Sequence, residues 1–345
     1  MAKYRVLTHT SFGRQNVVIL AKLAQDEEEL RVFVLSWSCA IFSSRESPDT
    51  LAACLGCAME ATRDIPATVE VIVNGNQELA DKMRVIAHGL HLSSSASKIV
   101  RIWFLSAADK ARAWNSYVHK IWSGSDVAFF VDGYTRVSRD SFAQLVDGLI
   151  STPEALGATG VPTMGRSARK LRGKMIRAGG IHGNLYALRG EVVKQLRDRK
   201  FLFPLGLYRT DALIGAVVCF GLDPATNEWD TRRIFVQPQA TWEFEALRWW
   251  RVKDLWSYWK RALRQAQGVL ENHAVREHMA IQKRPPEMLP NTASTLVVEW
   301  LNAFPKRART LFFLNPLCFI AARKLRNSIS LPAPVEPVLI DRIEL

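Results

Sequence analysis

Several features that would place this chain in a simple class are scarce in its sequence or missing from it. Its 345 residues contain only five cysteines, an odd and scattered set that argues against a disulfide framework and for a reducing compartment. No apolar stretch reaches the ~18 residues that a membrane-spanning helix needs. The longest, residues 311–322, is interrupted by Asn315 and Pro316. No secretory leader or internal repeat is recognisable, so we expect a folded cytoplasmic protein.

Acidic residues are too few to balance the basic ones, and this imbalance limits the kinds of partner. The chain has 46 lysines and arginines against 33 acidic residues, a net charge of +13. Such a surface attracts nucleic acid, anionic lipid headgroups or a phosphorylated substrate, although a basic surface without a dedicated partner stays open. No nucleic-acid-binding module is recognisable, and the C-terminal cations cluster with tryptophans instead of lining a groove. We therefore expect no nucleic acid as a partner.

An alternation of apolar segments and amphipathic helices begins at residue 31. Four strand–helix pairs follow one another, with strands predicted at 31–37, 68–76, 98–105 and 126–133. Successive units of this kind favour a parallel sheet with right-handed crossovers, and near-continuous apolar strands indicate cover on both faces. The sequence thus predicts an α/β fold with a Rossmann-like, mostly parallel sheet and flanking helices.

Polar residues stand where these predicted strands end. The second strand ends in Asn74, Gly75 and Asn76, the third is followed by residues 106–110, and the fourth ends in Asp132. Ligands of open α/β sheets bind beyond the carboxyl ends of the strands. We therefore expect a nucleotide at this edge.

The pattern changes after residue 150. A short strand is predicted at 157–162, a basic loop at 164–180 and, after it, a strand that enters a helix. A lone acid, Asp211, stands in an apolar setting, which indicates partial burial. From Trp242 onward the chain is expected to be mostly helical and rich in Trp and Arg.

The order of these motifs resembles the family 2 glycosyltransferases, which have the GT-A fold, over roughly residues 31–265. VEVIVNGN resembles the family's strand that ends at the nucleoside, and KARAWN resembles its helix with a Lys and an Asn. FFVDGYTRVSRDSF resembles its hydrophobic strand that ends in Asp-x-Asp. The resemblance implies that a nucleotide sugar is bound by Asn74, Gly75, Asn76, Lys110, Asn115, Asp132 and Tyr134.

The second half of the resemblance concerns the acceptor and the chemistry. GGIHGNLYALRGE resembles the family's glycine-rich acceptor loop, YRTDALIG its catalytic carboxylate and EALRW its basic-aromatic helix. Catalytic roles are implied for Asp211 and Arg189, although capping of a helix that begins at Ala212 stays open for Asp211. Acceptor binding is implied for Gly180, His182, Gly183, Asn184, Arg248 and Trp249.

A divalent cation is a further implication of the resemblance. Sugar transfer requires that the charge of the leaving diphosphate be neutralised and that the acceptor hydroxyl lose a proton. Asp132 is expected to hold Mg²⁺ or Mn²⁺, with His182 as a further ligand. Tyr134, however, replaces the second carboxylate of Asp-x-Asp. The alternative is that Lys110, Arg136 or the basic segment 166–177 supplies the positive charge without a metal.

The C-terminal region has the composition of a membrane-interface segment. In RWWRVKDLWSYWKRALR one helical face is apolar, and the cations lie largely elsewhere. Helices with Trp on one face and cations on the other suit the membrane surface, and residues 296–326 repeat this composition. We expect peripheral contact with an anionic membrane, at the inner face of the plasma membrane, although packing of these aromatics on the main domain stays equally open. The predicted apolar face consists of Trp249, Val252, Trp256, Trp259 and Leu263.

Together these observations favour a glycosyltransferase of hexosyl or N-acetylhexosaminyl type. The resemblance implies a nucleoside-diphosphate sugar as donor, with UDP expected, and inversion at the anomeric carbon; the expected acceptor is a polysaccharide, a glycolipid or another glycoconjugate. The alternative, kept open by Tyr134, is a catalytically silent GT-A protein that binds nucleotide or carbohydrate as a scaffold or regulator. The expected regions are an N-terminal extension (1–30), a GT-A catalytic domain (31–240, with halves 31–150 and 151–240) and a C-terminal helical region (241–345).

Overall fold

The structure is a computed structural model, and it has a nine-stranded mixed sheet at its centre. Helices cover both faces of this sheet, and a separate three-stranded sheet is formed by N-terminal segments. From one edge to the other, the strands of the large sheet are β12 (Val338–Glu344), β6 (Lys98–Leu105), β5 (Ala67–Asn74), β4 (Trp37–Ser43), β7 (Val127–Asp132), β10 (Leu185–Arg189), β9 (Gly157–Pro162), β11 (Ile234–Glu243) and β8 (Arg136–Val137). The residues that the structure describes are 4–6, 19–22, 32–89, 97–163, 166–244, 252–327 and 333–345.

The small sheet corrects the first predicted strand. Its three antiparallel strands are β1 (Tyr4–Val6), β2 (Ile19–Lys22) and β3 (Val32–Val34). Residues 31–37 were predicted as one strand of the main sheet, but the first main strand is β4 (Trp37–Ser43). The break is at Ser36, whose backbone N–H and hydroxyl both donate to the Asp126 carboxylate at 2.7 Å.

The first half of the main sheet confirms the predicted parallel arrangement. β4 pairs in parallel with its two neighbours β5 and β7, and β5 pairs in parallel with β6. Helix α3 continues directly into a π-helical turn, Tyr117–Ile121. After β4 the elements are α1 (Pro48–Ala61), β5 (Ala67–Asn74), α2 (Gln77–His88), β6 (Lys98–Leu105), α3 (Lys110–Ser116) and β7 (Val127–Asp132).

Side chains at the strand tips also start the helices. Ser47 accepts a hydrogen bond from Thr50 N at 3.2 Å at the start of α1, where Pro48 takes the first helical position. Asn76 caps α2 and Asp109 caps α3 in the same way. A cap satisfies a backbone donor that the first helical turn leaves without a partner, so each helix begins at the edge where its strand ends.

The second half of the sheet is mixed. β10 lies antiparallel between β7 and β9, and β11 runs parallel to β9 with β8 antiparallel at the outer edge. Helix α6 follows β10 directly, as predicted. The elements are β8 (Arg136–Val137), α4 (Ser141–Ser151), β9 (Gly157–Pro162), α5 (Arg166–Ala178), β10 (Leu185–Arg189), α6 (Gly190–Asp198), α7 (Thr210–Cys219) and β11 (Ile234–Glu243).

The basic segment 164–180 was predicted as a loop, and this prediction was wrong, because residues 166–178 form α5. Its apolar residues Leu171 and Met175 are four positions apart, which places them on one helical face. Met175 is buried, and Leu171 packs against the sheet core. Three large apolar residues, Leu171, Met175 and the exposed Ile176, among six cations were too weak a signal for a helix.

The C-terminal region is helical, as predicted, but it ends in a strand that the sequence did not reveal. β12 pairs antiparallel with β6 and forms an edge of the main sheet. Among the described residues no helix combines the length and the apolar composition needed to cross a bilayer. The elements are α8 (Val252–Arg276), α9 (Ala293–Ala303), α10 (Pro305–Leu314), α11 (Pro316–Arg326) and β12 (Val338–Glu344).

Alternate residues of the strands build two apolar cores, one on each face of the sheet. Along β7, Ala128 and Phe130 join the core that includes α3, α6, α7 and the C-terminal helices. Phe129 and Val131 join the core that includes α1, α2 and α4. Because side chains alternate along a strand, Asp132 falls on the same face as Phe130, which is the face that α3 covers.

Candidate functional site

The candidate site lies where the parallel strands end. Asp132 is the last residue of β7, and it is nearly buried. Lys110, the first residue of α3, donates a hydrogen bond from its ammonium group to Asp132 Oδ1. Burial tends to lower the pKa of Lys110, but the charge and the hydrogen bond of Asp132 outweigh it, so the pKa is raised. Lys110 therefore remains a cation beside Asp132 at neutral pH.

Tyr134 occupies the other oxygen of the same carboxylate. Its hydroxyl donates to Asp132 Oδ2 at 3.0 Å and lies 3.3 Å from Asn184 Oδ1. Burial and then the charge of Asp132 raise the pKa of Tyr134 well above its usual range. The hydroxyl is therefore a permanent donor, and both oxygens of Asp132 are engaged by groups of the protein.

A second carboxylate, Asp211 of α7, reaches this position and contacts the loop before β10. The Gly183 N–H donates a long hydrogen bond of 3.4 Å to Asp211 Oδ2. A methyl group added to Gly183 would lie 3.4 Å from Lys110 Nζ, 3.5 Å from Asp211 Cβ and 3.6 Å from Asp132 Oδ2. Lys110, Asp132 and Asp211 therefore converge on one glycine. We call Lys110, Asp132, Tyr134, Gly183 and Asp211 the Asp132 cluster.

Asp211 lies in the first turn of α7, but it does not cap this helix. The helix begins at Thr210 instead of the predicted Ala212, and the capping position is Arg209. Asp211 Oδ1 accepts a hydrogen bond from the Ala212 N–H at 2.9 Å, and Oδ2 faces the Gly183 N–H. The carboxylate is thus held from both sides and remains partly exposed, which suits a group that must accept a proton from a ligand.

His182 was predicted as an acceptor contact and a metal ligand. Its ring stacks on Trp242 with 4.8 Å between the ring centroids, and its Nδ1 accepts a hydrogen bond of 3.4 Å from the Asn184 N–H. Burial lowers the pKa of His182, and the nearby charges of Asp211 and Asp132 oppose this shift. His182 is therefore a neutral, stacked imidazole at neutral pH, and its Nδ1 already accepts a hydrogen bond within the loop.

Two buried donors beside the Asp132 cluster lack a partner within the described part of the chain. They are Asn184 Nδ2 and Trp242 Nε1. Buried polar groups are nearly always hydrogen-bonded in folded proteins, so these donors are available to a bound ligand. Trp242 was not among the predicted site residues, because β11 brings it to His182 from a distant part of the sequence.

The predicted donor residues before Asp132 shape the edge through their own contacts. The Asn74 side chain donates to Ser43 O at 2.8 Å and ties the ends of β5 and β4 together. Gly75 has a positive φ of 74°, and a Cβ there would lie 2.4 Å from Ala108 Cβ. Only glycine fits this turn, which holds the loop before α3 against the end of β5.

Asn115 acts in a similar way, one turn into α3. Its side chain donates to Phe203 O at 3.0 Å and accepts from Phe203 N at 2.8 Å. The pair fixes the segment that leads from α6 to α7, and therefore the approach to Asp211. Asn115 supports the Asp132 cluster without joining it.

Arg189 is not brought to the site. Since β10 is antiparallel to β7, Leu185 pairs with Val131 while Arg189 pairs with Val127, at the opposite end of the strand. Its guanidinium donates to the backbone oxygens of Ala155, Leu149 and Thr152, and so fixes the end of α4. Of the remaining predicted acceptor residues, Gly180 lies in the same loop as Gly183 with φ of 98°, whereas Arg248 and Trp249 lie outside the described residues.

A cavity of about 400 Å³ opens between α7 and α8, and its lining includes Arg209 and Ala212 but not Asp211. Its lining is largely apolar, and its charged residues are Arg209, Glu271 and Arg276. The Glu271 carboxylate accepts hydrogen bonds of 3.0 to 3.1 Å from the N–H groups of Tyr208 and Arg209. The cavity therefore suits a ligand with an apolar part and a negative charge. It was missed in the sequence because its walls come from two distant helices.

Comparison with known proteins identifies the fold of this chain. Models of known protein families give no match, and no curated protein matches the chain in sequence. Among solved structures, the mannosyltransferase PcManGT from Pyrobaculum calidifontis, in complex with GDP-Man and Mn²⁺, is similar with a TM-score of 0.52. The identity is 18%, over 86% of this chain and 76% of that chain. The chain has a GT-A fold.

Two further structures with GT-A likeness have lower scores and add no weight. Glucosyl-3-phosphoglycerate synthase from Mycobacterium tuberculosis, in complex with Mn²⁺, UDP-glucose and phosphoglyceric acid, gives a TM-score of 0.45 at 12% identity, over 68% of this chain and 78% of that chain. TarS from S. aureus, in complex with UDP-GlcNAc, gives 0.42 at 11% identity, over 85% and 91%. At these identities the likeness concerns the fold alone.

The divalent cation that the GT-A resemblance implies is not well matched by the side chains at this position. A cation at Asp132 needs free carboxylate oxygens, whereas Lys110 and Tyr134 engage both of them. No group of three or more His, Cys, Asp and Glu side chains suited to a metal occurs among the described residues. The residues present do not fit the metal, and the positive charge beside Asp132 belongs to Lys110.

Proposed function

We propose that the chain is a glycosyltransferase, of the family 2 type, that moves a sugar from a nucleoside-diphosphate sugar to a hydroxyl-bearing acceptor. The observation that carries this proposal is the convergence of Lys110, Asp132 and Asp211 on Gly183. This cluster lies at the carboxyl edge of the parallel strands, where ligands of α/β sheets bind, and the sheet belongs to a GT-A fold.

The donor would lie along the strand ends. The nucleoside, proposed to be uridine, would occupy the edge at Asn74 to Asn76, and the diphosphate would lie against the Lys110 ammonium. An ammonium that already points at a carboxylate can exchange this contact for phosphate oxygens at little cost of reorganisation. Asp132, itself held by the Tyr134 hydroxyl, keeps that ammonium in position until the donor arrives.

The transfer would use Asp211 as the general base. Its carboxylate takes the proton of the acceptor hydroxyl while the acceptor oxygen forms a bond to the anomeric carbon. The bond between that carbon and the diphosphate oxygen breaks, and its electron pair leaves with the diphosphate. The Lys110 charge stabilises the leaving group. Attack from the side opposite the leaving group would invert the anomeric carbon.

The cavity between α7 and α8 favours an acceptor with both apolar and anionic parts. The Arg209 guanidinium donates to Gln265 Oε1 at 2.7 Å, and Arg276 lies at an exposed position in the same lining. Guanidinium groups bind phosphate and carboxylate oxygens with two parallel hydrogen bonds. A glycolipid or another glycoconjugate with a negatively charged group fits this lining better than an uncharged polysaccharide.

A donor screen with base and control variants tests the proposal. The full chain would be incubated with UDP-, GDP- and dTDP-linked hexoses and N-acetylhexosamines, and release of the nucleoside diphosphate would be measured with hydroxyl acceptors present. We expect turnover with one nucleotide class, reduced about 10²- to 10⁴-fold by Asp211→Asn, because a general base contributes a factor of this order. Asp198→Asn, in an exposed ion pair with Lys194, is the matched control and should leave turnover unchanged.

The outcomes separate the transferase from a silent protein. Equal turnover in wild type and Asp211→Asn would remove Asp211 from the reaction. Nucleotide binding without turnover would support the scaffold or regulator, the alternative that Tyr134 keeps open. Absence of both binding and turnover would contradict the donor site as a whole.

A further inference from the structure

The helices α10 and α11 follow each other closely, and both expose large apolar side chains near the residue that joins them. Phe313 is 87% exposed and Leu314 is 74% exposed at the end of α10, while Phe319 is 57% and Ile320 43% exposed in α11. Only Asn315 separates the two helices, and Pro316 is the first residue of α11, so the four side chains lie within five residues of this joint. Contiguous exposed apolar patches mark interaction sites on soluble domains. We call residues 305–327 the α10–α11 corner.

The charges of the corner all have one sign. Residues 305–327 contain six cations and no acidic residue. The ion pair from Arg307 to Glu277, at 2.9 Å, joins the corner to the end of α8. This local excess of positive charge favours an anionic partner. The six cations are Lys306, Arg307, Arg309, Arg323, Lys324 and Arg326.

The exposed apolar side chains do not result from poor packing of α10 and α11. The inner faces of both helices are buried through small side chains, among them Ala308, Cys318 and Ala322. The Cys318 thiol lies 3.6 Å from Ala266 O, which brings α11 close against α8. The large apolar side chains are therefore held outward by a well-packed base.

A small cavity at the corner combines aromatic and cationic walls. It has about 300 Å³ and is lined by Phe312, Phe319, Ala322, Arg323, Arg326 and Asn327. The rings of Phe312 and Phe319 meet edge to face, with 5.7 Å between their centroids. Guanidinium groups suit phosphate oxygens, and the adjacent rings suit the first carbons of an acyl chain.

We propose that the α10–α11 corner docks on the surface of an anionic bilayer. Phe313, Leu314, Phe319 and Ile320 enter the boundary between headgroups and acyl chains, and Arg323 and Arg326 bind a lipid phosphate. Apolar residues beside cations on short helices are the pattern of interfacial membrane anchors. A membrane fits better than a protein partner because a protein would have to supply both an acidic surface and a pocket for four large apolar side chains. This proposal does not depend on the glycosyltransferase activity.

The predicted Trp-rich face of α8 adds little to this surface. Trp249 and the side chains of Val252 and Trp256 lie outside what the structure describes. Trp259 is exposed, whereas Leu263 packs against the core. In the later segment, Trp300 and Leu301 are buried in the core as well. Packing on the main domain, one of the two alternatives of the sequence, therefore holds for Leu263, Trp300 and Leu301. Membrane contact, the other alternative, stays a prediction, and the exposed apolar side chains at the α10–α11 corner are its best candidates.

Vesicle co-sedimentation of the full chain tests the proposal. We expect binding to vesicles that contain phosphatidylglycerol, weak binding to phosphatidylcholine alone, and weaker binding at high salt. The double variant Phe313→Ser and Leu314→Ser should reduce binding to the anionic vesicles at least tenfold. Since both side chains are exposed, its thermal unfolding should match that of the wild type. Val85→Ser, at an exposed valine of α2, is the control and should bind normally.

A second pair of substitutions separates the two parts of the surface. Arg323→Gln with Arg326→Gln should remove the preference for phosphatidylglycerol while leaving the weak binding to phosphatidylcholine. Binding to anionic vesicles that is unchanged in the Phe313 and Leu314 variant would overturn the proposal. So would a wild type that ignores vesicles but forms a dimer in sedimentation velocity that this variant dissociates, since the corner would then contact a protein.

Discussion

The Asp132 cluster and the α10–α11 corner are opposite in construction. In the cluster every charged side chain contacts a partner: Lys110 and Tyr134 hold Asp132, and Asp211 faces the Gly183 N–H. In the corner, six cations lie in a segment without acidic residues, beside apolar side chains that face water, and Arg307 pairs with Glu277 outside that segment. Paired, partly buried side chains suit a small ligand, because each contact to the ligand can replace one contact within the cluster. Exposed side chains with an excess of positive charge suit binding to an extended anionic surface.

The difference has its origin in the elements that carry the two regions. The cluster is fixed by strand ends and tight turns, where hydrogen bonds of the sheet set positions to a fraction of an ångström. The corner is fixed by the inner faces of two short helices, so its outer residues are free of packing demands. If this contrast is correct, changes in one region should leave the function of the other intact.

The largest expected effect follows from removal of the cluster's cation. Lys110→Met takes the ammonium from Asp132 and from the proposed diphosphate position, and we expect turnover to fall by about 10²- to 10³-fold, as for the loss of one preorganised stabilising group. Steady-state kinetics would measure this, with Lys110→Arg as the charge-conserving control. Vesicle binding should be unchanged. A parallel loss of vesicle binding would show that the two regions are not independent.

A single methyl group in the cluster should have an intermediate effect. Gly183→Ala places a Cβ at 3.4 to 3.6 Å from Lys110, Asp211 and Asp132, a distance that the fold tolerates but that fills the space of the reacting atoms. We expect kcat/KM to fall about tenfold, and the free energy of unfolding to stay the same or to rise by up to about 1 kcal/mol.

The control for this substitution is Gly56→Ala, in the middle of α1, where an added Cβ meets nothing within 4 Å. It should stabilise the protein by a similar amount and leave kcat/KM as it is. If both alanine variants have wild-type kinetics, the reaction does not take place at Gly183.

Acidification should give the smallest effect, and it should act through buried histidines outside the α10–α11 corner. Burial lowers the pKa of His182, His119 and His278, so the unfolded chain takes up protons before the folded one as the pH falls below about 6.5. Stability is therefore full above that pH and decreases toward pH 5, by at most about 1.4 kcal/mol per pH unit for each histidine. Thermal melts from pH 7.5 to 5 would measure the slope.

The corner offers a clear contrast, because residues 305–327 contain no histidine. Vesicle binding should be constant over the pH range in which the protein stays folded. His182→Gln should reduce the loss of stability that acidification causes. An increase of stability on acidification would contradict the burial of these imidazoles.

The sequence was most informative where a feature depends on neighbours in the chain. The strands at 98–105 and 157–162 and the end of β7 at Asp132 follow from apolar runs that stop at polar residues. The direction of β10 is different, since it depends on pairing between distant strands. A parallel β10 would have brought Arg189 to Asp132, whereas the antiparallel one places it at the opposite end.

Other features were missed for the same physical reason. Trp242 and the cavity between α7 and α8 arise from contacts between distant segments. β12 is an exposed edge strand with few buried residues, so no periodic apolar pattern identified it. The membrane prediction depended on composition, and only exposure of individual side chains could separate buried Trp300 from exposed Phe313.

The most direct measurement of the central claim is calorimetric titration of the full chain with UDP and GDP, first in EDTA and then with Mn²⁺. We predict saturable binding of one nucleotide in EDTA, changed less than tenfold by Mn²⁺ and weakened at least tenfold in Lys110→Met, because the Lys110 ammonium supplies the charge beside Asp132. Binding that appears only with Mn²⁺, and that survives Lys110→Met, would contradict the claim.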